Sequence, residues 1–227
     1  LVAIVVAKQF FGGIGQNFVN PALAGRIVLL TSFPVAMSTW TQPLTWTMSK
    51  LDGVTSASPL SSIHEMTSGG AAPDVSLVEM LIGWRAGCLG ETCAVALLLG
   101  GIYLVVRKVI SPTIPLTYIG TVAVIMLIAG KGDFRFVAYE LLGGGLMLGA
   151  IFMATDYTTS PITFKGKIIF GIGCGLITSI IRIFGNLPEG VSYSIIIMNI
   201  LVPLIENVTL PKPFGTPKKE KKEAEAK

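Results

Sequence analysis

Six long apolar runs, set apart by connectors rich in glycine, proline and charge, constrain this chain more than any other feature. They cover residues 23–40, 87–106, 114–130, 136–154, 168–184 and 191–208. About 20 mainly apolar residues suffice to carry a helix across the hydrocarbon of a bilayer. Only 13% of the chain is charged, roughly half the share found in soluble domains, and the mean hydropathy is +0.72. The expected fold is therefore all-α: a polytopic integral membrane protein with six near-complete transmembrane helices. The first and third runs are short and carry Pro34 and Pro115, so their ends are the least defined. The opening "LVAIVVAK" is too brief to span and reads as the stump of a helix that starts before Leu1.

Most connectors are short: "RKVISP", "GKGDFR", "TDYTTSPITFKGK" and "GNLPEG". The exception is one long loop, residues 41–86. Alternating the loops across the membrane puts Lys8, Arg26, Arg107, Lys108, Lys165, Lys167 and six tail lysines on one side. Lys50, Arg85, Lys131, Arg135 and Arg182 fall on the other. Basic residues accumulate on the cytoplasmic side, so the long loop is expected outside, in an inner or plasma membrane. Trp40, Trp46 and Trp84 flank or sit in that loop, as an interfacial aromatic belt would. Within it, "PDVSLVEMLIGW" sets Val75, Val78, Met80, Leu81 and Trp84 largely along one face, the pattern of a helix lying on the lipid surface. The chain divides into a membrane domain, 1–209, and a charged cytoplasmic tail, 210–227.

Several functions are disfavoured. The positive charge is concentrated in the tail, without the basic face and interleaved aromatics of a nucleic-acid binder. Cys88, Cys93 and Cys174 have no C-x-x-C spacing, and the lone His64 makes no metal site by itself. The glycines of "QFFGGIGQNFVNPALAGR" are out of order for a dinucleotide fingerprint.

Ionisable residues within apolar runs are candidates for function because each is costly at membrane depth. Glu206 is expected at the interface. Glu140, just after Arg135 and Tyr139, is expected to pair near the outer surface. Glu91, among the small residues of "CLGETCAVALLLGG", suits either an ion path or cofactor support, or else a structural hydrogen bond. In the segment around Gly12, Gly13 and Gly15, Asn20 is placed to cap a helix that starts at Pro21. The segment is either a plain helix–loop–helix connection or a broken helix whose Asn17 and Asn20 amides hold a polar ring system. The glycines of "FGIGCGL" read as a face for close helix packing. An internal repeat is suggested by "NFVNPALAGR" and "MNILVPLIEN", each with Asn shortly before Pro. The glycine-rich stretches "GETCAVALLLGG" and "LLGGGLMLGAIFMATD" pair similarly.

Three stretches together resemble the D subunits (RnfD) of the Rnf complexes, membrane-bound ferredoxin:NAD oxidoreductases. More distantly, they resemble the B subunit (NqrB) of the sodium-pumping NADH:quinone reductase. They are "GGIGQNFVNPALAGR", "DGVTSASPL", and the series from "GETCAVALLLGG" through "GGGLMLGAIFMATDYTTSP" to "PEGVSYSIIIMNILVPLIE". The resemblance covers nearly all of the chain except the lysine-rich tail. It implies FMN joined through a phosphoester to a loop hydroxyl by a flavin transferase that reads D-x-x-[ST]-[GS]-A-[TS]. Here that pattern is Asp52, Gly53, Val54, Thr55, Ser56, Ala57, Ser58, with Ser58 as acceptor and Thr55 as its nearest rival. Ser56 and Ser58 stand where the family more often has Gly and Thr; both keep a small residue and a hydroxyl. The family also implies a second, non-covalent flavin such as riboflavin, for which Asn17 and Asn20 are the candidate place.

The implied function is a flavin-carrying subunit of a redox-driven ion translocase. Electrons pass through bound flavins while the membrane domain moves Na⁺ or H⁺. NAD and iron–sulfur centres would belong to partner subunits, and membrane lipid is the remaining partner. Two alternatives are the quinone reductase's own B subunit, and a secondary transporter with repeat architecture and no redox role.

Overall fold

The computed structural model describes residues 1–13, 15–41, 55–57, 62–63, 75–85, 87–88, 90, 92–185 and 189–211; of Thr41 and residues 55–57 it describes the backbone alone. A π-helical segment, Val2–Gln9, precedes α1 (Pro21–Ser32) and α2 (Pro34–Ser38). After these come β1 (Thr39–Thr41), β2 (Thr55–Ala57) and α3 (Leu77–Ile82). The remainder is α4 (Ala94–Val106), α5 (Thr113–Ala129), α6 (Phe134–Leu142), α7 (Leu146–Met153), α8 (Phe164–Phe184) and α9 (Val191–Thr209). The helical membrane architecture expected from the sequence is present. Among the described residues, the strands form only one two-stranded antiparallel ribbon.

The helices are less uniform than the apolar runs. Of the described helices, only α8 and α9 are individually long and apolar enough to cross a membrane. Pro34 and a non-helical Phe33 separate α1 from α2, so the first run is not one helix. In the second run, helix begins only at Ala94, where Cys93 is extended and its Sγ accepts from the Ala96 amide. The fourth run is broken. Gly143, Gly144 and Gly145 divide α6 from α7, Gly144 takes a φ of 62°, and the two pieces meet at 66°.

α8 packs between α5 and α9. Gly171 and Gly175, one turn apart, face α5; a Cβ on Gly175 would lie 2.6 Å from Thr121 Cβ. Gly173 faces the other way, and a Cβ there would lie 2.5 Å from Met198 Cε of α9. The "FGIGCGL" stretch is thus a packing face, as expected, and it serves two neighbours. Between the same helices, Tyr118, Thr178 and Ser194 are buried and bonded together. Tyr118 Oη lies 2.6 Å from Thr178 Oγ1 and 2.9 Å from Ser194 Oγ, and Ser194 donates to Val191 O at 2.8 Å.

Glu140 corrects its expectation. It pairs with Arg182 of α8 rather than near the outer surface beside Arg135, and both residues are only 2% exposed. Arg182 Nη1 donates to Glu140 Oε2 at 2.8 Å and to Glu140 O at 2.5 Å; Nη2 donates to Gly143 O at 3.1 Å. The last carbonyls of a helix have no donor within it, and a break in an apolar medium exposes that need. Arg182 meets it, and the Glu140 carboxylate balances the charge.

Arg26 is also relocated. It lies inside α1 and pairs at 2.6 Å with Glu189, which precedes α9. That places it at the Arg182 end of the bundle rather than with Lys8. Glu206 lies near the far end of α9 and accepts from Ile162 N at 3.2 Å, consistent with an interfacial position.

α3 is shorter than its apolar pattern. A capping box between Ser76 and Glu79 starts it, and Gly83, with φ 102°, ends it. Met80 is buried, while Val78, Ile82 and Trp84 are exposed.

Two substitutions test this packing. Gly175→Ala is expected to cost about 1–3 kcal/mol through overpacking against Thr121. Gly120→Ala, exposed on α5 with nothing near its Cβ position, should stabilise by about 0.5–1 kcal/mol. Thermal unfolding in detergent reads both; equal midpoints would refute the assignment. Glu140→Leu, which removes the carboxylate paired with the buried Arg182 guanidinium, is expected to cost about 3–5 kcal/mol. The same measurement checks it, and an unchanged midpoint would refute that role.

Candidate functional site

Two regions drawn from the sequence carry candidate chemistry. In the first, β2 holds Thr55, Ser56 and Ala57 of the "DGVTSAS" segment against β1. The pairs are Thr39 with Ala57, Trp40 with Ser56, and Thr41 with Thr55. The middle of the segment is therefore laid out extended beside the strand that leaves α2. Ser38 and Thr39 turn their hydroxyls back onto their own helix, donating to Val35 O at 3.3 and 2.9 Å. Asp52, Gly53 and Ser58 lie outside the described residues, as do Glu91 and His64. Ser58 follows Ala57 directly in the chain, so the ribbon ends one residue before it.

In the second region the structure brings Asn17 and Asn20 together. Gly12, Gly13 and Gly15 all have φ between 82° and 108°, a range that side chains resist. They turn the chain from the π-helical segment into α1. Asn20 caps α1 as the sequence implies: its Oδ1 accepts from Ala22 N at 3.0 Å and Leu23 N at 3.3 Å, with Pro21 in the first turn. Its Nδ2 donates to Met153 O at the end of α7. Asn17 Nδ2 donates to Val19 O at 3.2 Å and Thr158 Oγ1 at 3.0 Å. Thr158 and Thr159 in turn donate to Asp156 Oδ2 at 3.1 and 3.0 Å.

These residues line an open cleft of about 280 Å³ whose rim includes Lys8, Gly15, Asp156 and Thr158. The volume falls just below that of ligand pockets, which run from about 300 Å³. Asn17 Oδ1 has no partner among the described residues, so it is an acceptor that a ligand N–H could meet. The cleft thus presents an amide acceptor, a hydroxyl, an ammonium and a carboxylate. Of the groups that the resemblance implied, a flavin ring fits that donor set.

Asn199 supplies a link that the repeat hinted at. With its amide oriented to suit both ends, Nδ2 donates to Ile195 O at 3.2 Å and Thr159 O at 3.1 Å, and Oδ1 accepts from Asn20 N at 3.1 Å. The two Asn residues of the echoed Asn–Pro segments therefore touch. Asn199 stands eight residues into α9, about 12 Å along it, so α1 begins beside the middle of α9 and not at its end. Pro203, four residues on, cannot donate to the Asn199 carbonyl. Lys8, Asp156, Thr158 and Thr159 were not singled out from sequence. The only signal was the polar run "TDYTTS" after an apolar helix, which is also how an ordinary loop looks.

Residues 1–215 match the model of the NQR2, RnfD, RnfE family. The chain is 48% identical, over 99% of its length, to the D subunit of the Na(+)-translocating ferredoxin:NAD(+) oxidoreductase complex of Acetobacterium woodii. It is 43% identical over 95% of its length to the D subunit of the proton-translocating ferredoxin:NAD(+) oxidoreductase complex of Clostridium ljungdahlii. It is 38% identical, again over 95%, to the D subunit of the ion-translocating oxidoreductase complex of Stutzerimonas stutzeri. It spans 67%, 66% and 68% of those relatives, about two thirds of their length. On this match the chain belongs to the NQR2, RnfD, RnfE family.

Proposed function

We propose that the chain is the flavin-carrying membrane subunit of an ion-translocating ferredoxin:NAD oxidoreductase complex, with FMN joined as a phosphoester to Ser58. The observation that carries this is the segment from Asp52 to Ser58, its middle paired in β2 against β1, in a chain nearly half identical to the D subunit of such a complex. Thr55 lies in β2, its backbone paired with Thr41, and Ser58 comes directly after the last β2 residue in sequence. Small neighbours Gly53, Ser56 and Ala57 give a flavin transferase access to the hydroxyl. The loop that bears Ser58 faces outside, and the tail faces the cytoplasm.

A second flavin, such as riboflavin, is held without a covalent bond in the Asn17 cleft. Bound flavins supply the redox chemistry and relay electrons. The chain's own residues bind and orient them. Asn17 Oδ1 accepts a ring N–H, while Asn20 stays committed to the α1 cap and Met153 O. Lys8 and Asp156 set the local charge. NAD and the iron–sulfur centres belong to other members of the complex. The two relatives of similar identity belong to complexes named for Na⁺ and for protons, so the ion moved is Na⁺ or H⁺.

The covalent bond is tested by flavin fluorescence of the denatured band in a gel, using protein matured with its transferase. The wild-type band should fluoresce, Ser58→Ala should abolish the signal, and Thr55→Ala should retain it. A dark wild-type band refutes the covalent flavin, and loss only in Thr55→Ala moves the acceptor to Thr55. For the cleft, Asn17→Leu should lower the non-covalent flavin released on denaturation at least fivefold while the covalent signal stays. An unchanged amount would remove the flavin from this cleft.

A further inference from the structure

α4 and α5 enclose an apolar groove of about 280 Å³ that no part of the proposed redox role uses. Its α4 wall runs from Leu98 to Val106, about 12 Å of helix, and its α5 wall from Pro115 to Ile119. Ile151 of α7 lies between the walls, against Gly101 of α4. A Cβ on Gly101 would sit 2.7 Å from Ile151 Cγ2, so the two already touch and close the floor. Exposed Ile102, Val106 and Leu116 carry the groove out to the protein's lipid-facing surface.

One end of this groove is basic. Arg107 follows Val106 directly and Lys108 comes next, both exposed. The described ion pairs join Arg26 to Glu189 and Arg182 to Glu140, and neither involves this pair. The turn is tightly made: Lys108 N donates to Val105 O and Val109 N to Leu104 O, each at 2.9 Å, and the Tyr157 hydroxyl donates to Val109 O. Lys108 holds a φ of 56°, a conformation that glycine takes with less strain. A lysine there keeps a second cation beside Arg107 at some backbone cost. The positive N-terminal end of α5 follows within the same connection.

We propose that this groove binds an anionic phospholipid, one acyl chain lying between α4 and α5 and the phosphate held by Arg107 and Lys108. Basic residues at the edge of a membrane also orient helices, but that role requires no groove beside them. The combination of an apolar slot with a cationic rim matches the two halves of a lipid, and the charge selects phosphatidylglycerol-like headgroups over zwitterionic ones.

The test uses the assembled complex in membranes of equimolar phosphatidylglycerol and phosphatidylcholine. A photo-crosslinking residue replaces Leu116, and mass spectrometry reads which lipid it captures. Phosphatidylglycerol adducts should exceed phosphatidylcholine adducts by about thirtyfold, given roughly 1 kcal/mol for each of the two basic residues near the headgroup. Arg107→Gln with Lys108→Gln should bring the ratio close to one. Val105→Trp, which fills the slot, should reduce both adducts. A ratio that the double variant leaves unchanged would overturn the proposal. So would capture of a helix from another protein of the complex in place of lipid.

Discussion

The guanidinium of Arg182 is the contact on which the rest of the bundle depends. It lies inside an apolar assembly, where an isolated charge would cost several kcal/mol. It remains because the break after α6 leaves Glu140 O and Gly143 O in need of donors, and because the Glu140 carboxylate is beside it. The three-glycine break and the ion pair are therefore one arrangement. Without the break the arginine would lack carbonyls to bind, and without the arginine the break would leave a helix end unsatisfied in an apolar medium.

A similar economy governs the opposite half. α1 begins beside the middle of α9, so its first amides and the loop before it also lie away from the membrane surface. Asn20 satisfies two of those amides, Asn199 receives the Asn20 backbone N–H, and Thr159 lends its carbonyl to Asn199. Each of these interruptions of a helix is matched by an amide or a guanidinium from another helix. The cleft beside Asn17 exists because this loop folds back to meet those groups, and the residues that hold the loop also line the cleft. Structural and binding roles are split atom by atom: Asn17 uses its nitrogen for the fold and leaves its oxygen open.

The sequence made some of this legible and hid the rest for physical reasons. Apolar length fixes the all-α membrane class and locates α5, α8 and α9 well, since hydropathy and span are directly linked. Asn20 before Pro21 announces a cap through local chemistry alone. The break in the fourth run was invisible because glycines are common in membrane helices and do not declare whether they bend the chain or admit a neighbour; here residues 143–145 bend it while Gly171 and Gly175 admit α5. Glu140 was assigned by proximity in sequence to Arg135, but its partner is 42 residues away, and pairing at that separation is a property of helix packing. Asp156 and Thr158 were missed for the same reason.

The two-sided glycine face of α8 carries a mechanical consequence. With Gly171 and Gly175 meshed into α5 and Gly173 into Met198 of α9, α8 cannot slide past one neighbour without dragging the other. Close-packed interiors transmit displacement and do not absorb it. The three helices are thus built to shift together as one block, and Arg182 ties the break between α6 and α7 to that block.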